Sequence, residues 1–255
     1  MKTVLLAINV DATTPQKKKI LNVLVVLFLD AHFYYFPGNS LIPIMKKSFP
    51  KLGLEPKDCI EMSWIDSILH VAGHPRGTPR EALLDGDHQL YKSYFKAKSD
   101  FVNQPIPETA LQQAWRRHLQ IDEAYIVMEP LGGRMNIIPE TQIAFPHRRE
   151  NLYNIQYIVK WKVNEVQEAQ KHIHWVRMLY RYMTPYVSRS PRAAYFNYRD
   201  LDLGINGING TTTYLEARIW GTNYFKDNFE RLAKVKKQVD PGNFFRDEQS
   251  IPPFG

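Results

Sequence analysis

The stretch YNIQYIVKW, Tyr153–Trp161, carries the clearest fold signature in this sequence of 255 residues. Its odd-numbered positions are aromatic or β-branched, and the even-numbered ones include two amides, Asn154 and Gln156. Alternation with a period of two places successive side chains on opposite faces of an extended chain. The stretch therefore predicts a β-strand with an apolar face and a more polar face that carries both amides.

Periodicity on either side of this strand predicts elements of both kinds. Further strands are predicted over residues 4–10, 94–102, 125–128 and 193–198. Helices are predicted over residues 40–49, 108–119, 167–183 and 214–239. Residues 21–29 fit a strand or a segment of buried helix equally well. The order lacks the strict alternation of a doubly wound fold, so the fold class is α+β, a largely antiparallel sheet with helices covering one face.

Composition excludes several classes of protein. Hydrophobic residues make up 44% and charged residues 23%, as in ordinary soluble globular proteins. The net charge is +7, but the basic residues are scattered and accompany no nucleic-acid-binding motif, so we expect no nucleic-acid partner. The apolar run over residues 23–29 is too short to span a bilayer, and no membrane association is expected. The first ten residues lack a cleavage site, so no signal peptide is predicted.

Three familiar kinds of site lack support in the sequence. His70 and His74 have the spacing of a helical metal pair, but a glycine and a proline beside them disfavour a helix and no third ligand is evident, so no metal site is predicted. Gly132 and Gly133 lack the spacing of a phosphate-binding loop. No G-x-S-x-G nucleophile motif occurs.

The stretch YFNYRDLDLG, residues 195–204, is the densest cluster of polar and aromatic side chains. In a strand, Tyr195 and Asn197 would share one face. A tyrosine such as Tyr198 can act as a general base if a neighbouring charge or cofactor lowers its pKa from about 10. A buried structural tyrosine with a bonded hydroxyl is the commoner case, and these residues alone favour it.

Residues 4–253 resemble the C-terminal half of the berberine bridge enzyme-like proteins of plants, which are FAD-linked oxidases. The shared motifs are SFPKLGLEPKDCIEMSWIDS (48–67), YFKAKSDFVNQPIPE (94–108), the turn Pro130-x-Gly-Gly, IAFPHR (143–148) and YFNYRDLDLG. The most specific is RIWGTNYFKDNFERLAKVKKQVDPGNFFRDEQSIPP (218–253).

The resemblance implies a fold like the substrate domain of the vanillyl-alcohol-oxidase-like flavoproteins. Residues 1–190 would form the substrate-binding α+β domain. Residues 191–255 would add a strand, a long helix and a tail that pack on an FAD-binding domain. The sequence contains no such domain, which is expected upstream or in trans.

The implied activity is oxidation of a small alcohol, phenolic, alkaloid or sugar, with FAD as cofactor, hydride passing to flavin N5 and oxygen reduced to hydrogen peroxide. Secretion, to the cell wall or the vacuole, is also implied, and the sequon at Asn209 fits a secreted glycoprotein. The alternative is a truncated, catalytically silent fragment or a binding-only relative.

The resemblance also assigns roles to individual residues. Tyr198 matches the catalytic base of several members, and Asn197 and Tyr195 match positions that line the flavin. Three further positions match substrate-contacting or pocket-lining residues: Gln156, Asn154 and Glu129. Asn154 stands where a lysine is common, which removes a charge that could lower the pKa of Tyr198.

Overall fold

The computed structural model describes residues 2–6, 38–48, 50, 53, 55–85, 93–207 and 212–255. The chain forms two compact units, Met1–Lys92 and Ser93–Gly255. The boundary expected from the resemblance, between residues 190 and 191, falls inside the second unit. As a division between a substrate-facing part and a cofactor-facing part, it stays a prediction.

The first unit contains a two-stranded antiparallel sheet of β1 (Lys2–Leu6) and β2 (Cys59–Ser63). Helix α1 is Gly38–Ser48, and helix α2 is Trp64–Val71. The Ser63 side chain caps α2 by accepting a hydrogen bond of 3.2 Å from the Asp66 amide, and this stops the strand and starts the helix. Part of the predicted strand over residues 4–10, and all of residues 21–29, lie outside the described residues.

The second unit is built on a three-stranded antiparallel sheet. Its strands are β3 (Tyr94–Val102), β4 (Ala124–Pro130) and β5 (Tyr153–Trp161), in the order β3-β5-β4. The bounds of β3 and β5 are those that alternation predicts. In this register Gln156 lies opposite Ser99 on one side and Val127 on the other. The central strand is therefore the one whose pattern is clearest in the sequence.

Two helices cover one face of this sheet, α3 (Glu108–His118) and α4 (Val166–Met183). The apolar face of β5 packs with the buried stripe of α4 in one core, made of Ile155, Tyr157, Val159, Trp175, Val176, Leu179 and Met183. This confirms the α+β fold with helices on one face. The opposite face, which carries Ser99, Phe101, Glu129, Asn154 and Gln156, is called the site face below.

The strand predicted over residues 193–198 is wrong. Phe196–Tyr198 form one turn of 3₁₀ helix, and the preceding residues pair with no strand. The Tyr195 amide donates to the Ser99 hydroxyl at 2.8 Å, and the Ala194 amide donates to the Asn223 carbonyl at 2.9 Å. Because these backbone groups bond to a side chain and to a helix, no strand ladder forms.

The single helix predicted over residues 214–239 is also wrong, because two helices are present, α5 (Tyr214–Phe225) and α6 (Asn228–Val239). Lys226 breaks the helix with a φ of 47°, a left-handed conformation, and its ammonium is 2.7 Å from Glu140. The Asn228 amide donates to the carbonyls of Glu140 at 2.7 Å and Ile143 at 3.1 Å. These tertiary bonds stabilise a break that neither glycine nor proline marks in the sequence.

The contact between α5 and α6 generates a stability prediction. A Cβ atom on Gly221 would lie 2.3 Å from the ring of Phe229, which is fully buried. Gly221→Ala should lower the free energy of unfolding by about 1–3 kcal/mol, because overpacking outweighs the helix propensity gained. Denaturant unfolding would measure this. Gly242→Ala, where a Cβ atom meets nothing within 4 Å, is the control. Equal stability of both variants would contradict the close contact between Gly221 and the Phe229 ring.

Candidate active site

The site face of the sheet carries three of the residues that the resemblance assigns to the pocket. Glu129 and Asn154 lie directly opposite each other in the β4–β5 register, and Gln156 follows two residues along β5 on the same face. Asn154 is buried, whereas Glu129 and Gln156 are half-buried. The alternation in the sequence thus places Asn154 and Gln156 correctly on one face, and the register of β4 adds Glu129.

The turn Phe196–Tyr198 brings the remaining predicted residues over this face. The Tyr198 hydroxyl donates a hydrogen bond of 3.0 Å to Glu129 Oε1. The Asn197 amide donates to the Tyr195 hydroxyl at 2.8 Å, and the rings of Tyr195 and Tyr198 meet edge to face with centroids 5.0 Å apart. All six predicted residues therefore converge, although three of them lie on the turn and the residue before it rather than on a strand.

The electrostatics of Tyr198 differ from those of an activated base. Burial raises the pKa of its hydroxyl, and the Glu129 carboxylate raises the pKa further through its charge and its hydrogen bond. Among the described residues, every group that shifts this pKa raises it. Tyr198 is therefore neutral at physiological pH. It can take a proton from another hydroxyl only if its own proton moves to Glu129.

An ion-pair network fixes the loop that follows the turn. The Lys96 ammonium is 2.7 Å from Asp200, and the buried Lys98 ammonium bonds both Asp200 and Asp202, the latter at 2.9 Å. The Arg177 guanidinium donates two hydrogen bonds, of 2.8 and 2.6 Å, to the Asp202 carboxylate. The loop is thereby attached to strand β3 and to helix α4, and the turn just before it is held in place.

The C-terminal tail also forms hydrogen bonds with this loop. Gln249 is fully buried, and its amide donates to the carbonyls of Asp200 at 2.9 Å and Gly204 at 2.7 Å. Reasoning from the sequence missed Gln249, as it missed Lys98 and the Ser99 hydroxyl that holds Tyr195. Only Lys98 carries a signal, since a lysine in the middle of a strand that is otherwise buried needs a partner.

The side chains of the candidate site fit the ring system of FAD. Asn154 Oδ1 is buried and, within the described part of the chain, has no hydrogen-bond partner, so it is available to a donor on a ligand. The phenols and amides around it could hold a flat heterocycle by its edge and its face. Across the described ranges, no cluster of three or more potential ligand side chains that could hold a metal ion occurs.

Comparison with known proteins places the chain in a family. Residues 194–252 match the family model for berberine and berberine-like proteins. They contain the turn, the loop with Asp200 and Asp202, and Gln249. Over 217 residues the chain is 55% identical to berberine bridge enzyme-like 22 of Arabidopsis thaliana, covering 85% of this chain and 40% of that protein. The chain is a partial berberine bridge enzyme-like protein. The resemblance seen in its motifs is confirmed.

Other relatives of this berberine bridge enzyme-like chain agree. It is 52% identical over 215 residues to the monolignol oxidoreductase AtBBE-like 13 of Arabidopsis thaliana, covering 84% of this chain and 39% of that protein. The solved structure of berberine bridge enzyme-like 28 from Arabidopsis thaliana superposes with a TM-score of 0.78 at 46% identity, over 87% of this chain and 46% of that one. The chain thus spans about 40% of the length of these curated relatives, whose family is FAD-dependent.

The ion-pair network generates a prediction about pH. Arg177, then Lys98 and Lys96, hold the pKa of Asp202 well below its usual value of 3.8. A lowered carboxyl pKa contributes stability above the unfolded value, and that contribution is lost as the pH falls below about 4. Asp202→Asn should therefore cost about 1–2 kcal/mol of unfolding free energy at neutral pH, since the group is partly solvated, and progressively less in acid.

Denaturant unfolding of the wild type and Asp202→Asn at pH values on both sides of the Asp202 transition would measure this difference. Asp122→Asn, which removes an exposed carboxylate, is the control and should change little at any pH. A cost for Asp202→Asn that stays constant through the acid range would show that the network does not hold the loop by charge.

Proposed function

We propose that this chain supplies the substrate side of an FAD-dependent oxidation of a small alcohol, phenolic, alkaloid or sugar, with oxygen as the acceptor and hydrogen peroxide as the product. The hydrogen bond between Tyr198 and Glu129, above the amides of the site face, carries the proposal. It joins a proton-relaying hydroxyl to a proton acceptor, which the oxidation of an alcohol needs. The monolignol oxidoreductase among the relatives supports this chemistry.

The residues of this chain would act on the substrate hydroxyl. Its proton would pass to the Tyr198 oxygen while the Tyr198 proton passes to Glu129, so that no free phenolate is required. Gln156 and Asn154 would orient the substrate by hydrogen bonds to its other polar groups. When bound, oxidised flavin accepts a hydride from the substrate carbon and passes the electrons to oxygen.

Asn197 and Tyr195 would line the flavin, and the rest of the cofactor would lie in an FAD-binding domain. We infer that this domain packs on the C-terminal elements, as the resemblance implies. Large apolar side chains are exposed there: Leu215, Ile219, Val239, Phe244 and Phe245. Exposed apolar side chains on this scale mark surfaces that a partner covers.

Secretion stays a prediction, and the sequon at Asn209 lies outside the described residues. Within the described ranges, no helix combines the length and the apolar character needed to cross a membrane.

A second candidate function is a catalytically silent or binding-only relative. Two observations favour it: the pKa of Tyr198 is raised rather than lowered, and Asn154 supplies no charge to lower it. The two candidates differ in whether the Tyr198–Glu129 pair can relay a proton during turnover.

Stopped-flow reduction of the flavin, in a full-length protein that carries this chain together with an FAD-binding domain, separates the candidates. Tyr198→Phe should slow reduction by an alcohol substrate roughly a hundredfold, because the proton path is lost, and Glu129→Gln should slow it for the same reason. Tyr182→Phe is the control, since its hydroxyl bonds the Ala110 carbonyl in the helical layer.

Equal rates for the wild type, Tyr198→Phe and Glu129→Gln would exclude the relay. A wild-type flavin that no alcohol, phenolic, alkaloid or sugar reduces would favour the silent relative.

A further inference from the structure

Arg148, at the end of the IAFPHR motif, is a buried cation that the proposed reaction does not use. It is only 6% exposed. Its Nη1 donates to Met135 Sδ at 2.8 Å, and its guanidinium lies 4.9 Å from the centre of the Phe145 ring. Its Nε is buried and finds no hydrogen-bond partner among the described residues. Within that same part of the chain, no carboxylate forms an ion pair with it.

Such an arrangement is costly in a folded protein. A guanidinium has five N–H donors and a permanent charge. The thioether of Met135 and the ring of Phe145 compensate for little of the hydration that it loses on burial. Buried arginines are normally paired with an anion. An anion from outside the described residues would supply the missing partner.

The position of Arg148 links it to the candidate active site. The Phe145 ring that it contacts also meets Tyr195 edge to face, with centroids 5.6 Å apart. Phe145 packs against Phe101 as well, and Phe101 lies on the site face opposite Asn154. Arg148 therefore lies at the edge of the cluster that carries the proposed chemistry.

The neighbouring His147 adds no competing charge. Burial lowers its pKa to about 3, so the ring is neutral at physiological pH. Its Nε2 donates to the Tyr224 carbonyl at 2.9 Å, and it stacks on Phe101 with centroids 4.0 Å apart. The ring is therefore fixed by these two contacts, and within the IAFPHR motif the Arg148 guanidinium carries the positive charge.

The Pro130-x-Gly-Gly motif leads into a second segment that contacts Arg148. Gly133 adopts a φ of 52°, in the left-handed region that glycine tolerates, and begins the 3₁₀ turn Gly133–Ile137 that carries Met135. This turn brings Met135 Sδ against Arg148. Two of the motifs that carry the family resemblance thus meet at this one guanidinium.

We propose that Arg148 anchors a binding site for a small oxyanion at the edge of the candidate active site. A planar guanidinium binds carboxylate and phosphate groups through paired hydrogen bonds. The oxyanion has two candidate sources, the phosphate of the flavin nucleotide and a carboxylate on the substrate. The choice of these sources rests on the proposed function, whereas the oxyanion site itself does not.

Calorimetric titration of the chain with matched probes tests the site and its source. The probes are inorganic phosphate, riboflavin with its phosphate ester FMN, and coumaryl alcohol with its acid coumarate. We expect the charged member of one pair to bind about tenfold or more tightly than its neutral twin, as a charge-assisted hydrogen bond allows. Preference for FMN identifies the nucleotide phosphate, and preference for coumarate identifies a substrate carboxylate.

Variants decide whether Arg148 is the anchor. Arg148→Met should abolish the preference for the charged probe, and Arg148→Lys should keep part of it. Arg149→Gln removes the same charge from the next residue, which is exposed, and should leave binding unchanged. A preference that persists in Arg148→Met overturns the proposal, and so does a wild type that binds neither phosphate, FMN nor coumarate.

Thermal unfolding without ligand separates a binding role from a structural one. Arg148→Met should melt at the same temperature as the wild type or higher, because an uncompensated buried charge is removed. A clearly lower melting temperature would overturn the proposal, since Arg148 would then stabilise the fold itself. Oxyanion binding by a protein whose flavin no substrate reduces would refute the proposed function and leave the site standing.

Discussion

The ion pairs of Lys98 determine where the site can form. This lysine lies within the central part of strand β3, and its side chain is only 3% exposed. A charge in that position is tolerated only with partners, and Asp200 and Asp202 supply them from a loop about a hundred residues further along the chain. Because the turn with Tyr198 immediately precedes that loop, pairing Lys98 also brings the phenol to Glu129.

The contrast between predicted and observed elements follows from where their hydrogen bonds go. Strands β3 and β5 pair along their whole length, so alternation alone gives their bounds. Residues 193–198 look like a strand, but the partner of the Tyr195 amide is a serine hydroxyl 96 residues away. The break between α5 and α6 likewise depends on Asn228 reaching carbonyls more than 80 residues earlier. No local pattern records bonds of this kind.

The candidate site shows the same division. The family resemblance supplied the six candidate residues, and alternation put Asn154 and Gln156 on one face, as the strand register confirms. They could not give the charge state of Tyr198. That state depends on the hydrogen bond to Glu129, which lies on strand β4, and on the burial of the Tyr198 hydroxyl. They also gave no reason to single out Arg148. Its distinguishing feature is a buried Nε that has no hydrogen-bond partner among the described residues. The resemblance indicated which residues to examine, whereas their charge states depend on the fold.

The buried amide of Gln249 has a consequence for biosynthesis. It donates to the carbonyls of Asp200 and Gly204, at the two ends of the loop, so the loop gains these two hydrogen bonds only after residue 249 has been made. Every residue of the candidate site is made earlier, and the ion pairs of Lys98 with Asp200 and Asp202 can hold the loop before that moment. Premature termination a few codons upstream would yield a polypeptide that keeps every residue of the candidate site but lacks these two hydrogen bonds.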